Sequence, residues 1–279
     1  MSYSAEISRL NPTCFLFLLD QSGSMADGFG SGESTKRKCD GVSDAINKLL
    51  QELAIRCAKP EGVRDYFHIG VIGYGAKVGP SFGGSLTNKE LVPISEVASS
   101  PLRIEERVKK VEDGAGGLVE QKTKFPIWFE PLANGGTPMC QALTIANSIV
   151  QRWITQHPDC FPPVILNLTD GEPTDGDPRT LADALKKLSG SDGNTLLLNL
   201  HISSNKATQI FFPDSDGELP DDHARLLFQM SSIMTDTMRA AAQEHGYKVS
   251  VSSRGYILNA GAVEVIQWLD IGTRAANLR

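Results

Sequence analysis

The chain has 279 residues, a formal net charge of −6, 41% hydrophobic residues and 22% charged ones. That length permits one large α/β domain or two small ones, with enough core to fold without staples. The acidic balance, with no basic run and no aromatic-basic platform, excludes a general nucleic-acid binder.

The N-terminal MSYSAEISRLNPT lacks the apolar centre of a signal peptide, and no apolar stretch reaches membrane-spanning length. A cytoplasmic protein with no membrane contact is therefore expected. Cys14, Cys39, Cys57, Cys140 and Cys160 are scattered and form no C-x-x-C pair. They point to free, mostly buried thiols in a reducing compartment. His68, His157, His201, His223 and His245 show neither H-x-x-x-H nor H-E-x-x-H spacing, so structural or surface roles are expected for them.

In chain order, Phe15 to Leu19 is a short continuous apolar run that closes on Asp20-Gln21-Ser22-Gly23-Ser24-Met25. Such a run predicts a strand buried on both faces. Its end delivers one carboxylate and two hydroxyls into a tight turn, with Gly23 relaxing the backbone between the serines. All three are oxygen donors of the kind hard cations such as Mg²⁺ prefer. The plainer alternative is a strand end followed by a helix capped by Ser22 or Ser24. Gly28-Phe29-Gly30-Ser31-Gly32 has Glu33 where a dinucleotide fingerprint would need glycine, so a mobile loop is expected there rather than a phosphate cradle.

Val42, Ile46, Leu49, Leu50, Leu53 and Cys57 have helical spacing, and Pro60 and Gly62 end the segment. His68 to Tyr74 predicts a strand beside the first, its glycines allowing close packing. Residues 75 to 134 form an irregular insertion punctuated by Gly83-Gly84, Pro93, Pro101 and Gly114 to Gly117. Within it, Leu91 to Val97 suits an edge strand, and Arg103 to Glu112 a solvated surface segment. Phe125 to Phe129 suits core packing, its Pro126 arguing against a central strand.

Thr137 and Pro138 suit the cap and first position of a helix running from Met139 to Trp153. Val164 to Thr169 predicts a third strand, ending in Asp170-Gly171-Glu172-Pro173-Thr174-Asp175-Gly176-Asp177. Asp177-Pro178 starts a helix to about Leu188, and Thr195 to Ile202 predicts a fourth strand. A C-terminal extension from about residue 204 holds helices over Arg225–Ser231 and Thr235–His245, a strand at Tyr256–Leu258 and a helix at Val263–Asp270. Met230, Met234 and Met238 suit core packing. The alternation predicts a single α/β domain over residues 1–279: a doubly wound, mainly parallel central sheet with helices on both faces, Rossmann-like in outline.

Three predicted loops carry oxygen ligands at the carboxyl ends of strands or before a helix, where open α/β sheets bind ligands. DQSGSM after an apolar strand, then GGTP, then LTDGEP resembles the von Willebrand factor A domain. The three elements occur in that family's order and span most of residues 13 to 203. The resemblance implies a metal-ion-dependent adhesion site (MIDAS) whose ligands are Asp20, Ser22, Ser24, Thr137 and Asp170, holding Mg²⁺ or else Mn²⁺ or Ca²⁺. GGTPM, LTDGEPTDG and the tail YILNA…WLDIGTR are similar to bacterial stand-alone members of tellurite-resistance type. That similarity implies a stress-response or phospho-signalling setting, with another cytosolic protein, a kinase or phosphatase, as partner.

A site with three neutral hydroxyls and only two carboxylates under-neutralises a divalent ion compared with a carboxylate-rich calcium loop. It suits reversible capture of a partner's Glu or Asp. Glu172, Asp175 and Asp177 suit a solvated loop and a helix cap, and add negative charge nearby. Catalysis is not expected, because Ser22 stands where D-x-D phosphoaspartyl hydrolases of the haloacid dehalogenase type need a carboxylate. Neither G-x-S-x-G nor a Walker motif is present. The alternatives are a metal-dependent hydrolase of a phosphorylated substrate, or a site that is occupied but idle. Phosphorylation between Ser31 and Thr35 would accompany a kinase partner.

Overall fold

The computed structural model describes residues 3–28, 36–112, 118–202 and 208–274, the side chains of 109–112 and 118 excepted. The glycine loop at 29–32, the 31–35 phosphorylation segment and the 114–117 glycines lie outside the described residues.

The chain opens with strand β1 (Thr13–Asp20), a 3₁₀ turn (Gly23–Ala26) and helix α1 (Lys38–Cys57). A small hairpin, β2 (Ala58–Lys59) and β3 (Gly62–Val63), leads into β4 (Phe67–Tyr74) and β5 (Val78–Pro80). Next come β6 (Val92–Pro93), α2 (Ile94–Ser99), β7 (Arg103–Glu112) and β8 (Leu118–Ile127). Helix α3 (Met139–Gln156), β9 (Val164–Thr169), α4 (Arg179–Lys187) and β10 (Leu196–Ile202) follow. The last elements are β11 (Ile210–Phe211), α5 (Asp222–Met230), α6 (Asp236–Glu244), β12 (Tyr256–Ala260) and α7 (Ala262–Thr273).

The central sheet has the order β11-β12-β10-β9-β1-β4-β5, with β6 also paired to β4. Strands β12, β10, β9, β1 and β4 are mutually parallel, and the short strands β5, β6 and β11 run antiparallel at the margins. This is a doubly wound α/β sheet. Residues beyond 204 supply two of its strands and three of its covering helices.

Strand β1 is buried along its whole length because both faces are covered. Alternate side chains point to opposite faces of a strand. Accordingly, Phe15, Phe17 and Leu19 join a core with α1, α2, α6 and α7, while Cys14, Leu16 and Leu18 join a second core with α3, α4 and α5. Helix α1 buries Val42, Ile46, Leu49, Leu50, Leu53 and Cys57 on the first side, and α3 buries Met139, Leu143, Ala146, Val150 and Trp153 on the other. The methionines do not form one stripe: Met230 ends α5 in the second core, and Met234 and Met238 lie in the first. The five cysteines are free; four are buried and Cys140 is half-buried.

Two local expectations differ from the structure, and a third segment is more ordered than its sequence pattern indicates. Arg103 to Glu112 is a surface segment, its residues 103–108 exposed or half-buried, and it is ordered as one arm of a ten-residue antiparallel ribbon, paired from Arg103↔Ile127 to Glu112↔Leu118. Arg107 Nη2 reaches Glu105 within the ribbon at 2.9 Å and Asp44 of α1 at 2.8 Å, and its guanidinium lies 3.7 Å from the Phe125 ring centre. Leu91 to Val97 is strand only at Val92–Pro93, after which Ile94 and Val97 bury one face of the short α2. Much of the span from 75 to 134 is thus ordered structure. Lastly, Thr137 does not cap α3, since Pro138 holds the cap position without a side-chain hydrogen bond.

Candidate metal centre

The order of the strands places the site. From β1 the chain steps one way to β4, then crosses back and continues the other way through β9, β10 and β12. The sheet therefore reverses its winding between β1 and β9, and a crevice opens beyond the carboxyl ends of these two strands. Asp20 is the last residue of β1, and Asp170 directly follows β9.

Backbone hydrogen bonds tie the loops together there. Gly23 N donates to Gly135 O at 2.9 Å, Asn134 N to Gln21 O at 2.6 Å, and Ala76 N to Asn134 O at 2.8 Å. Gly135 has φ +88°, and a Cβ on it would stand 2.5 Å from Ala76 N, so only glycine fits. Thr137 is held from the third loop: its N–H donates to Thr174 Oγ1 at 3.0 Å and its carbonyl accepts from Thr174 N at 3.0 Å.

The side chains form a connected cluster. The Asp20 carboxylate is buried, 2% exposed. Its Oδ1 accepts from Ser22 N at 2.8 Å and its Oδ2 from the Thr169 hydroxyl at 2.7 Å. The Ser22 and Ser24 hydroxyls are 3.0 Å apart, and Ser24 donates to Asp170 Oδ1 at 2.7 Å. A Cβ on Gly171 would sit 3.4 Å from Thr137 Oγ1 and 3.9 Å from Ser24 Oγ, so these two hydroxyls flank one small space. The Thr137 hydroxyl has no hydrogen-bond partner among the described residues. All five residues expected from the sequence are thus gathered at one rim.

Two further participants were not anticipated. Thr169 fixes the inner oxygen of Asp20. Lys38, the first residue of α1, places Nζ 2.7 Å from Asp170 Oδ2, and Asp27 lies 3.8 Å from the same nitrogen. The sequence signal for Lys38 was a lysine opening a helix, where the macrodipole disfavours a cation. Of the acidic residues in the third loop, Asp175 accepts from Cys140 N at 3.0 Å and Gln141 N at 2.9 Å, thereby capping α3 from a distance. Asp177 accepts from Arg179 N at the start of α4, and Glu172 is exposed.

Burial pushes the Asp20 carboxyl up to about 6, against the lowering effect of its bonds from Ser22 and Thr169; the charge of Asp170 adds to the rise. Beneath it, burial and then the Asp20 charge raise the Tyr74 phenol far above its ordinary range. That hydroxyl donates to Asn167 Oδ1 at 2.7 Å. Asn167 donates in turn to Asn199 at 2.9 Å and Asn199 to Ser231 Oγ at 3.0 Å, a buried polar ladder that crosses the sheet below the site.

Among the described residues no group of three or more His, Cys, Asp or Glu is arranged to hold a metal. The donors here are instead three hydroxyls and two carboxylates, all hard oxygens. The two serine hydroxyls are hydrogen-bonded to each other at 3.0 Å and Ser24 to Asp170, so the fit rests on the chemistry of the donor set, hard oxygens of the kind Mg²⁺ and Mn²⁺ take. The residues present therefore fit a small hard divalent cation. Among the described residues no helix is long and apolar enough to cross a membrane.

No family model and no curated protein sequence matches the chain. It is similar to proximal thread matrix protein 1 of the mussel byssus, solved with a zinc occupied MIDAS motif, at 12% identity and TM-score 0.44 over 96% of this chain and 48% of that one. It is also similar to three N-terminal domains of the type V pili tip protein Mfa5 of Porphyromonas gingivalis, at 14% identity and TM-score 0.30, covering 58% of this chain and 20% of that one. A third likeness is to the adhesive tip pilin GBS104 of Group B Streptococcus agalactiae, at 15% identity and TM-score 0.30, covering 58% and 46%. This chain thus spans less than half of each compared protein.

Proposed function

We propose that the chain is a divalent-cation-dependent protein-recognition module of von Willebrand factor A type. The observation that carries this reading is the convergence of Asp20, Ser22, Ser24, Thr137 and Asp170 from three distant segments onto one rim of the sheet. Ser22, Ser24 and Thr137 would hold the ion through neutral hydroxyls, and Asp20 and Asp170 directly or through water. When bound, Mg²⁺ or Mn²⁺ supplies an electrophilic position that a partner's Glu or Asp takes in place of water.

The chain's own residues do the rest. Thr169 and the Ser22 N–H orient Asp20 from below, and Gly23 and Gly135 lock two of the loops together. The exposed Ser24 marks the side from which a partner approaches. Ca²⁺ is a weaker fit, because it favours more and more highly charged oxygen ligands than two carboxylates supply. The partner we expect is another cytosolic protein of a phospho-signalling or stress-response system, a kinase or phosphatase.

The test is affinity capture with the purified chain in Mg²⁺ and in EDTA, beside Asp20→Ala. Partners retained in Mg²⁺ and lost in both other arms support the reading. Equal capture in all three would remove it.

A further inference from the structure

Lys38 is nearly buried, with its side chain 6% exposed, and Asp170, its partner, has a side chain that is fully shielded. The two oxygens of Asp170 are both taken: Oδ1 accepts from Ser24 and Oδ2 from the Lys38 ammonium at 2.7 Å. A lysine at this place works against two costs. Its charge leaves water, and it opens a helix whose first turn repels cations. The compensating anion is the carboxylate assigned above to the metal. Lys38 is delivered to it by the backbone: Lys38 N donates to Asp27 O at 2.9 Å, which draws the start of α1 onto the loop that follows β1.

An ammonium and a divalent ion compete for such a carboxylate. Asp20 and Asp170 carry two negative charges when ionised, and Lys38 offsets one of them, halving the charge that draws in a dication. A second acceptor for the lysine lies within reach. Asp27 Oδ2 is 3.8 Å from Nζ, and its side chain is 65% exposed.

We propose that Lys38 is a tethered competitor cation. It holds Asp170 while no divalent ion is bound, and metal binding moves its ammonium off Asp170 toward Asp27. Lys38 therefore sets the metal affinity of the site below what the oxygen ligands alone would give. This inference rests on the metal reading of the preceding subsection and deepens it.

The experiment is calorimetric titration of MnCl₂ and MgCl₂ into the wild-type chain, Lys38→Met, Lys38→Gln and Asp20→Ala, each checked for folding by circular dichroism. Lys38→Met keeps the apolar stem; Lys38→Gln keeps a polar head and serves if the methionine variant does not fold. The expected result is binding at least about tenfold tighter in the Lys38 variants than in wild type. Their metal-free melting temperature falls, and their metal-induced rise in melting temperature grows. The sign matters, because a substitution that merely damaged the site would weaken binding. Wild-type binding lost in Asp20→Ala, with equal or weaker binding in a folded Lys38 variant, would overturn the inference and leave the metal reading standing. No binding in wild type but binding in a Lys38 variant would support it in its strongest form. No binding in any variant would overturn both.

Discussion

Asp175 offers the sharpest test of how the site is held. Its two carboxylate oxygens receive the N–H groups of Cys140 and Gln141 at 3.0 and 2.9 Å, in the first turn of α3. These are orphan donors of a helix whose own cap residue, Pro138, contributes no side-chain bond. Asp175→Ala removes both bonds and the negative charge at the positive end of the helix. A lost side-chain cap costs about 1–2 kcal/mol, and the favourable charge at a helix start is worth about 0.3–1 kcal/mol more. Asp175 is half-buried, so a total of about 2 kcal/mol is the expected loss. For a cooperative unit of 279 residues this lowers the melting temperature by about 3–4 °C. Asp175→Asn keeps one acceptor and should lose about half as much. The same substitution loosens the segment carrying Thr137, so Mn²⁺ affinity should fall severalfold in step with stability. Thermal unfolding followed by circular dichroism, with calorimetric titration of Mn²⁺, measures both. An Asp175→Ala chain that melts with the wild type would show that α3 does not depend on this remote cap.

Gly135→Ala should cost about 2 kcal/mol or more in urea unfolding, since φ +88° and a Cβ 2.5 Å from the Ala76 backbone both oppose it; a neutral result would contradict the loop geometry. Asn47→Ala should cost about 1–3 kcal/mol at unchanged m-value, because Asn47 Oδ1 accepts the buried Trp128 N–H at 2.8 Å and alanine leaves it unpaired. Asp270 receives bonds from His245 at 3.0 Å, from Arg56 at 3.3 Å and from Arg274, joining α6, α1 and α7. Burial works to raise its carboxyl, but these donors outweigh burial and hold it below the usual carboxylate range. A depressed pKa contributes stability above the unfolded-state value near 4, and that contribution is lost as pH falls through the lower folded value. Asp270→Asn should therefore cost about 1 kcal/mol at pH 7, after allowing for its solvent exposure. The gap to wild type should close as pH falls below about 4, and a pH-independent gap in denaturant midpoints would refute the assignment.

The parts of the fold legible in the sequence were those whose burial imposes a period. β1 and β9 are covered on both faces, so each reads as a mostly apolar run (Phe15 to Leu19; Val164 to Leu168 broken by Asn167), and the change to Asp20 or Asp170 marks the strand end. The ribbon of β7 and β8 escaped detection because it lies off the central sheet. Arg103 and Arg107 pair with Glu105, Arg107 also with Asp44, and Glu106 with Lys122 across the ribbon, so no alternation of apolar residues is needed to keep the strands paired. Helix α2 is too short to show a helical period: Ile94 and Val97 are its only buried residues, and their three-residue spacing fits either reading.

The site divides in the same way. Asp20, Ser22, Ser24 and Asp170 stand at or just past strand ends, in the motifs that carried the family resemblance. Lys38 and Asp175 act on elements remote from their own positions in the chain, and no local pattern encodes such a contact. Lys38 meets Asp170 across 132 residues, and Asp175 meets α3 across 35. Yet both follow from one requirement. Buried carboxylates must find a cation or a donor, and the free N–H groups of a helix start must find an acceptor. The Asp170 side chain is shielded, and its two oxygens are met by the Ser24 hydroxyl and the Lys38 ammonium. Removing Lys38 leaves that carboxylate with the Ser24 hydroxyl alone, which is why the metal-free melting temperature of the Lys38 variants is expected to fall. In the proposal above, exchange of Lys38 for the metal is how the chain keeps Asp170 paired both with and without a divalent ion.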